Sequence, residues 1–125
     1  LVTLEDARVG DAFTEHSGLL AVEQLLERRT RFSAIFAAND QMAIGATLGL
    51  YRHGLRVPDD VSLVGFDDVA GALYMVPPLT TVHHPIQELG ELAARAMLSL
   101  LAGEQPQVEV PTPRLIVRES TRAAG

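Results

Sequence analysis

Two short apolar runs in this sequence end abruptly in residues whose side chains can bind a ligand. The run FSAIFAA ends in the pair Asn39–Asp40, and VSLVGF ends in the pair Asp67–Asp68, followed by PPLTTV at Pro77–Val82. Buried parallel strands have this pattern when their carboxyl ends open into a polar site. In open α/β sheets, ligands bind at that edge. The two pairs therefore predict a polar ligand site that contains an amide and carboxylates.

The residue types that the sequence lacks exclude several kinds of chemistry. All 10 basic residues are arginine, and there is no cysteine. Without lysine there is no Schiff base or phosphate-loop lysine, and without cysteine there is no thiol nucleophile or thiolate zinc site. Asp67 and Asp68 diverge if the chain is extended, which excludes hydrolysis by a carboxylate pair flanking one bond. We expect no enzyme and no cofactor.

Two adjacent histidines, His83 and His84, follow the apolar run LTTV. On an extended segment their rings point to opposite faces and cannot hold one ion together. No two histidines of the sequence stand at the i,i+4 spacing that places them on one helix face. We therefore predict no metal site.

The charge balance is acidic. The formal net charge is −6 and the pI is about 5.1. Net negative charge opposes binding to a phosphate backbone. No apolar run approaches the ~20 residues of a membrane span. We therefore expect a soluble segment without a membrane partner, and any contact with DNA should belong to other residues.

Helical and extended patterns alternate along the chain. Apolar spacing predicts helices at Glu15–Arg29 after a Thr14 N-cap, at about Gln41–His53, and from Pro85 to Gly103. Short apolar runs predict strands at Phe32–Ala38, Val61–Phe66, Leu79–Val82 and Arg114–Ser120. This alternation indicates βαβ units, and hence an α/β fold with a parallel sheet.

Four polar or aromatic positions have a structural alternative to ligand binding. Asn39 and Asp40 can each cap the second helix, and we predict that Asp40 caps it while Asn39 faces the ligand. Phe13 precedes a helix start, where a hydrophobic staple is the commoner role. Asp68 is predicted to be structural, since acids after a strand commonly bond the next loop.

Four longer motifs carry a resemblance to a known family. FAANDQMAIGA, GLRVPDDVSLVGFDD, PPLTTVHHPIQELGELA and RLIVRES, within about Phe13–Ser120, resemble the effector-binding domain of the LacI/GalR (lactose-repressor/galactose-repressor) family of bacterial transcription regulators. The resemblance implies a type I periplasmic-binding-protein-like fold, a parallel sheet flanked by helices, present here as a fragment. Residues 1–82 would form part of the C-terminal subdomain, 83–108 a crossover and a helix of the N-terminal subdomain, and 109–125 a return strand and tail. The helix-turn-helix of the family would be absent from this chain.

The resemblance also implies site residues. Phe13 would pack on the effector ring, Asn39 would hydrogen-bond the effector, and Asp67 would accept from its hydroxyls. His84 would lie near the cleft, where the family more often has glutamine. An aromatic face with an amide and a carboxylate suits a sugar, a related polyol or a purine.

A homodimer is the family's usual assembly. Met42, Ala46 and Leu50 form a second apolar stripe on the helix Gln41–His53, which is more than one core-facing stripe requires. Such a stripe is more often core, but the resemblance favours a dimer contact, with Tyr74 and Met75 nearby.

The resemblance thus implies a cytoplasmic sensor of a small molecule in a DNA-binding regulator, with operator DNA bound by a separate N-terminal domain. The alternative is a periplasmic sugar-binding protein of a transport system, which has the same fold.

Overall fold

A five-stranded sheet forms the centre of the computed structural model, which describes residues 2–3 and 12–123. Residues 1, 4–11 and 124–125 lie outside the described residues. The predicted subdomain and tail therefore fall partly outside the described structure. The strands lie in chain order, with β1–β4 parallel and β5 antiparallel to β4. They are β1 (Val2–Thr3), β2 (Ala34–Phe36), β3 (Ser62–Asp67), β4 (Thr80–His83) and β5 (Arg114–Ile116).

Three α-helices and one short 3₁₀ helix connect these strands. Thr14 caps the first helix through a hydrogen bond from the Ser17 N–H, as predicted. The predicted helices are present to within two residues at their ends, because caps and glycines delimit them. They are α1 (Glu15–Glu27), α2 (Asp40–Arg52) and α3 (Ile86–Leu101), and the 3₁₀ helix is Ala70–Tyr74.

The helices α1 and α2 pack against each other at backbone distance. A Cβ atom on Gly18 would overlap the Met42 carbonyl, and one on Gly45 would overlap the Glu15 carbonyl. Two glycines, one on each helix, therefore allow the first turns of the two helices to touch. This contact places the starts of both helices side by side at one edge of the sheet.

The core lies between the sheet and these two helices. Ile35, Leu50 and Leu63 are among its largest fully buried side chains. Met42, Ala46 and Leu50, which we predicted to contact a second subunit, all belong to this core. That prediction is wrong for these three residues, because α2 packs on α1 as well as on the sheet and so buries a wider face than one stripe.

Helix α3 buries none of its residues. Its apolar side chains Ile86, Met97, Leu98 and Leu101 are between 59 and 78% exposed. An amphipathic helix gains its stability from packing of its apolar face. This surface is consistent with the prediction that residues 83–108 belong to another subdomain, which stays a prediction. Within the described part of the chain, every helix is too short or too polar to cross a lipid bilayer.

Candidate functional site

The parallel strands bring the predicted site residues to one edge of the sheet. Asp67 is the last residue of β3 and pairs in register with His83, the last residue of β4. Asn39 follows β2 and begins α2, and Phe13 lies one residue before the N-cap of α1. All of these positions are at the carboxyl ends of strands or at the helix starts beside them, where ligands bind in open α/β sheets.

A pocket of about 560 Å³ opens at this edge, between the ends of β3 and β4 and the start of α3. Asp67 and His84 both line it, so the structure brings these two predicted effector contacts together. The His84 ring lies 5.8 Å from the Phe66 ring, between centroids. Phe13 and Asn39 are not among the lining residues. The pocket is lined by Asp67, Asp68, His83, His84, Pro85, Ile86, Gln87, Glu88 and Glu91.

The carboxylate of Asp67 has no partner within the described part of the chain. Among the described residues, no donor bonds it and no cation pairs with it. The backbone of Asp67 has φ 109° and that of Asp68 has φ 57°, conformations that L-residues adopt rarely. Such strain persists where surrounding contacts hold it, and it occurs often at ligand sites.

The carboxylate of Asp68, by contrast, is fully engaged. Its Oδ1 accepts from Arg118 Nη2 at 2.6 Å and its Oδ2 lies 3.0 Å from His83 Nδ1. Burial is the largest influence and would raise the pKa of Asp68, but the hydrogen bonds and charges of Arg118 and His83 outweigh it and lower that pKa. Asp68 is thus held as an anion that ties β3 to β4 and to the segment after β5, which agrees with its predicted structural role.

The buried carboxyl group of Asp40 holds the chain just after β3, at Val69. Asp40 is 0% exposed; its Oδ1 accepts from Thr81 Oγ1 at 2.6 Å and its Oδ2 accepts from the Val69 N–H at 2.9 Å. Burial raises the pKa of Asp40 against the lowering effect of these two hydrogen bonds. A Cβ on Gly65 would overlap Asp40 Oδ1, so glycine provides the room for this carboxyl.

The prediction that Asp40 caps α2 is therefore wrong, whereas the contact of Asn39 with an effector stays a prediction. Asn39 caps α2, since its Oδ1 accepts from the Met42 N–H at 2.9 Å, and its Nδ2 donates to the Phe13 carbonyl at 3.0 Å. Asp40 does not cap, because Thr81 and Val69 supply better-placed donors in the interior. Asn39 thus brings Phe13 to the start of α2.

Replacing Thr81 by valine tests the importance of the Asp40 carboxyl. The variant keeps the side-chain shape but removes the only side-chain donor to Asp40 in the described chain, so we expect a loss of about 1–3 kcal/mol of stability at neutral pH. The pKa of Asp40 in the folded variant should rise further. The penalty applies while Asp40 is ionised, so it should shrink as the pH falls through that raised folded pKa towards the ordinary value of 3.8.

Urea unfolding of the intact protein at several pH values measures this. Thr47→Val is the matched control, because the Thr47 hydroxyl donates only to a carbonyl of its own helix, that of Ala43. An equal, pH-independent loss in both variants would contradict the expectation.

Sequence reasoning missed Arg118, Ser120 and Thr81, which hold the site together. Ser120 Oγ donates to the Leu63 carbonyl at 2.6 Å and accepts from the Thr80 N–H at 2.7 Å. A basic and a hydroxyl side chain in the last three residues of the last predicted strand were the available signal. Among the described residues, no cluster of three or more His, Asp or Glu side chains is arranged to bind a metal ion.

Comparison with known proteins identifies the family. The family model described as a periplasmic binding protein-like domain matches residues 2–121. The chain belongs to the periplasmic binding protein-like domain family. The predicted fold class is thereby confirmed. The match spans all three α-helices and all five strands of the described structure.

Relatives within this family are transcription repressors. The HTH-type transcriptional repressor PurR of Escherichia coli is 44% identical over 110 residues, which are 86% of this chain and 32% of that protein. A LacI-family sugar-binding transcriptional regulator of Escherichia coli, solved with phosphate, superposes with a TM-score of 0.82 at 36% identity, covering 96% of this chain and 46% of the other. The Lac repressor dimer bound to operator and an anti-inducer gives 0.80 at 33% identity, covering 88% and 39%.

These matches confirm the predicted resemblance to LacI-type regulators. They favour a regulator over a transport protein, because the relatives are repressors. The chain spans about a third of the length of PurR, so the activity of the whole protein is a separate question.

Proposed function

We propose that this chain is the effector-sensing region of a LacI-type transcription repressor, acting in the cytoplasm by binding rather than by catalysis. The observation that carries the proposal is the free carboxylate of Asp67 in a pocket at the carboxyl ends of β3 and β4. Asp67 stands beside Asp68, which is held by Arg118 and His83. A rigid neighbour and a free acceptor are what a preorganised binding site requires.

The chemistry of the edge suits a neutral ring with hydrogen-bond donors. Asp67 would accept from a hydroxyl or N–H of the ligand, and His84 with Phe66 presents ring surface beside it. Phe13, whose side chain is 65% exposed, would pack on the ligand ring. We therefore propose a sugar, a related polyol or a purine as effector, in a pocket whose volume is within the usual range for small ligands.

The partners follow from the same proposal. Operator DNA would bind to a separate domain, since this chain carries a net charge of −6. A second copy would contact exposed side chains of α2 and of the 3₁₀ helix, such as Tyr51 at 78% exposure and Tyr74 at 81%. Met75, also predicted at the interface, lies with Leu48 and Val76 in an apolar groove of about 590 Å³ on this side. Effector binding would shift the repressor between two operator affinities through its differential affinity for the two states.

Replacing Asp67 by alanine should abolish the effector response. In the intact protein, a thermal-shift panel of D-glucose, D-galactose, maltose, sorbitol, hypoxanthine and guanine should include a compound that raises the melting temperature. A ligand at a hundredfold above its Kd stabilises the fold by ~2.7 kcal/mol. The D67A variant should lose this shift and still bind operator DNA.

The matched control is Asp59→Ala, since Asp59 is an exposed carboxylate away from the pocket and, among the described residues, pairs only with Arg56, across 3.7 Å. D59A should respond as the unmodified protein does. A shift that persists in D67A would remove Asp67 from the site, and the absence of any stabilising compound would contradict the proposed function.

A further inference from the structure

We propose that Asn39 is a positioning residue that acts through Phe13: one amide caps α2 and ties the loop before α1 to it, so that the Phe13 ring is held at the site edge. This inference deepens the proposed function and rests on it for the role of Phe13 as a ligand platform. We call the hydrogen bond from the Asn39 amide to the Phe13 carbonyl the tether. It is a property of the fold and can be tested without a ligand.

Both ends of the Asn39 amide are used. Its Oδ1 accepts from the Met42 N–H at 2.9 Å, and its Nδ2 donates to the Phe13 carbonyl at 3.0 Å. The first bond fixes the side chain at the start of α2, as an N-cap does. The second then fixes a backbone atom 26 residues away in sequence relative to α2. Within the described part of the chain, Asn39 is thus the one side chain that hydrogen-bonds the Phe13 backbone.

The ring of Phe13 is not a hydrophobic staple. A staple joins the residue before the N-cap to the fourth residue of the helix. The N-cap of α1 is Thr14, so the fourth residue is Gly18, which has no side chain to meet the ring. Accordingly the Phe13 side chain is 65% exposed. Its ring surface is therefore available at the site edge, which a stapled ring would not be.

The close packing of α1 against α2 fixes the two helices that the tether joins. Gly18 of α1 lies against the Met42 backbone, and Gly45 of α2 lies against the Glu15 carbonyl. The first turns of the two helices are therefore fixed to each other, and the Thr14 hydroxyl and carbonyl bond the Ser17 and Gly18 N–H groups. Ala12 and Phe13 lie just outside these contacts. Among the residues that the structure describes, only the side-chain amide of Asn39 extends the rigid region to them.

The experiment separates the cap from the tether. In Asn39→Asp the side chain still accepts from the Met42 N–H, because aspartate caps as well as asparagine, but it cannot donate to the Phe13 carbonyl. Hydrogen–deuterium exchange by mass spectrometry on the intact protein should show about fivefold faster exchange within residues 12–18, the factor that loss of one hydrogen bond implies. Exchange within residues 41–47, the first turns of α2, should stay as in the unmodified protein.

Two further variants complete the design. Asn39→Ala removes cap and tether, so exchange should rise in both segments. Asp60→Ala, which removes a side-chain acceptor for the Arg56 N–H beyond the other end of α2, should change neither. Unchanged exchange of residues 12–18 in N39D would overturn the proposal.

Ligand affinity tests separately whether the tether matters for binding to the Phe13 ring. The panel compound that most stabilises the unmodified protein should bind N39D about fivefold more weakly, the factor of one lost hydrogen bond, and D67A not at all. Equal affinity in N39D with faster exchange at residues 12–18 would overturn the role of Asn39 in binding. If no panel compound binds, the proposed function fails, and the exchange data still decide whether the tether exists.

Discussion

Replacing Gly45 by alanine should destabilise the protein by about 3 kcal/mol or more, although alanine is the better helix former. The new Cβ atom would overlap the Glu15 carbonyl of α1, a backbone atom that cannot rotate away. Overpacking typically costs 1–3 kcal/mol when side chains can yield, and here a whole helix must move. The separated helices would also displace Asn39 and Phe13 from each other.

Gly90→Ala is the matched control, because Gly90 lies within α3 and a Cβ there would meet no atom within 4 Å. That change should be neutral or stabilising by about 0.5–1 kcal/mol, the helix-propensity difference. Urea unfolding of both variants of the intact protein gives the two values. A G45A protein as stable as the unmodified one would show that α1 and α2 do not touch at backbone distance.

The strands and helices were predictable because their patterns are local. Periodicity, caps and the glycines after α2 and α3 fixed the elements to within a few residues. There are three exceptions. Strand β1 and the 3₁₀ helix were not predicted. The last strand was predicted to reach Ser120 but ends at Ile116. The chain leaves β4 there, because the Arg118 N–H bonds the Thr80 hydroxyl and Ser120 bonds Leu63 and Thr80. Those bonds join residues about 40 or more apart, which no local pattern encodes.

The errors at α2 have a related origin. Periodicity counts apolar stripes but does not say how many neighbours a helix has, so the stripe with Ala46 and Leu50 was assigned to a partner although α1 covers it. Asn39 and Asp40 have similar capping preference, and the choice between them depends on where Thr81 and Val69 lie. The location of the candidate site follows from the sheet topology, whereas the contacts of the individual residues depend on tertiary structure.

Replacing Arg118 by methionine should cost about 1.5–3 kcal/mol at neutral pH, because the charge-assisted hydrogen bond of a partly buried ion pair is lost. The side chains of Arg118 and Asp68 are each 17% exposed, and Nη2 and Oδ1 are 2.6 Å apart. Methionine fills much of the space but leaves Asp68 with His83 alone, and it also removes the hydrogen bond from Nη1 to the Leu79 carbonyl. Arg114→Met is the matched control: Arg114 is exposed on β5, and its loss should change stability by less than ~0.5 kcal/mol.

The pH dependence identifies the cause of the loss in R118M. Because the folded pKa of Asp68 lies below its ordinary value of 3.8, its stabilisation is complete above that value and disappears as the pH falls through the lowered pKa. The stability difference between R118M and the unmodified protein should therefore be full at neutral pH and narrow under acid conditions. Urea unfolding from pH 7 down to the acid transition measures it, and a constant difference would assign the loss to packing instead. Asp68 has φ 57° and its carboxylate is held by Arg118, so we expect loss of the ion pair to loosen this turn and R118M to weaken ligand binding also.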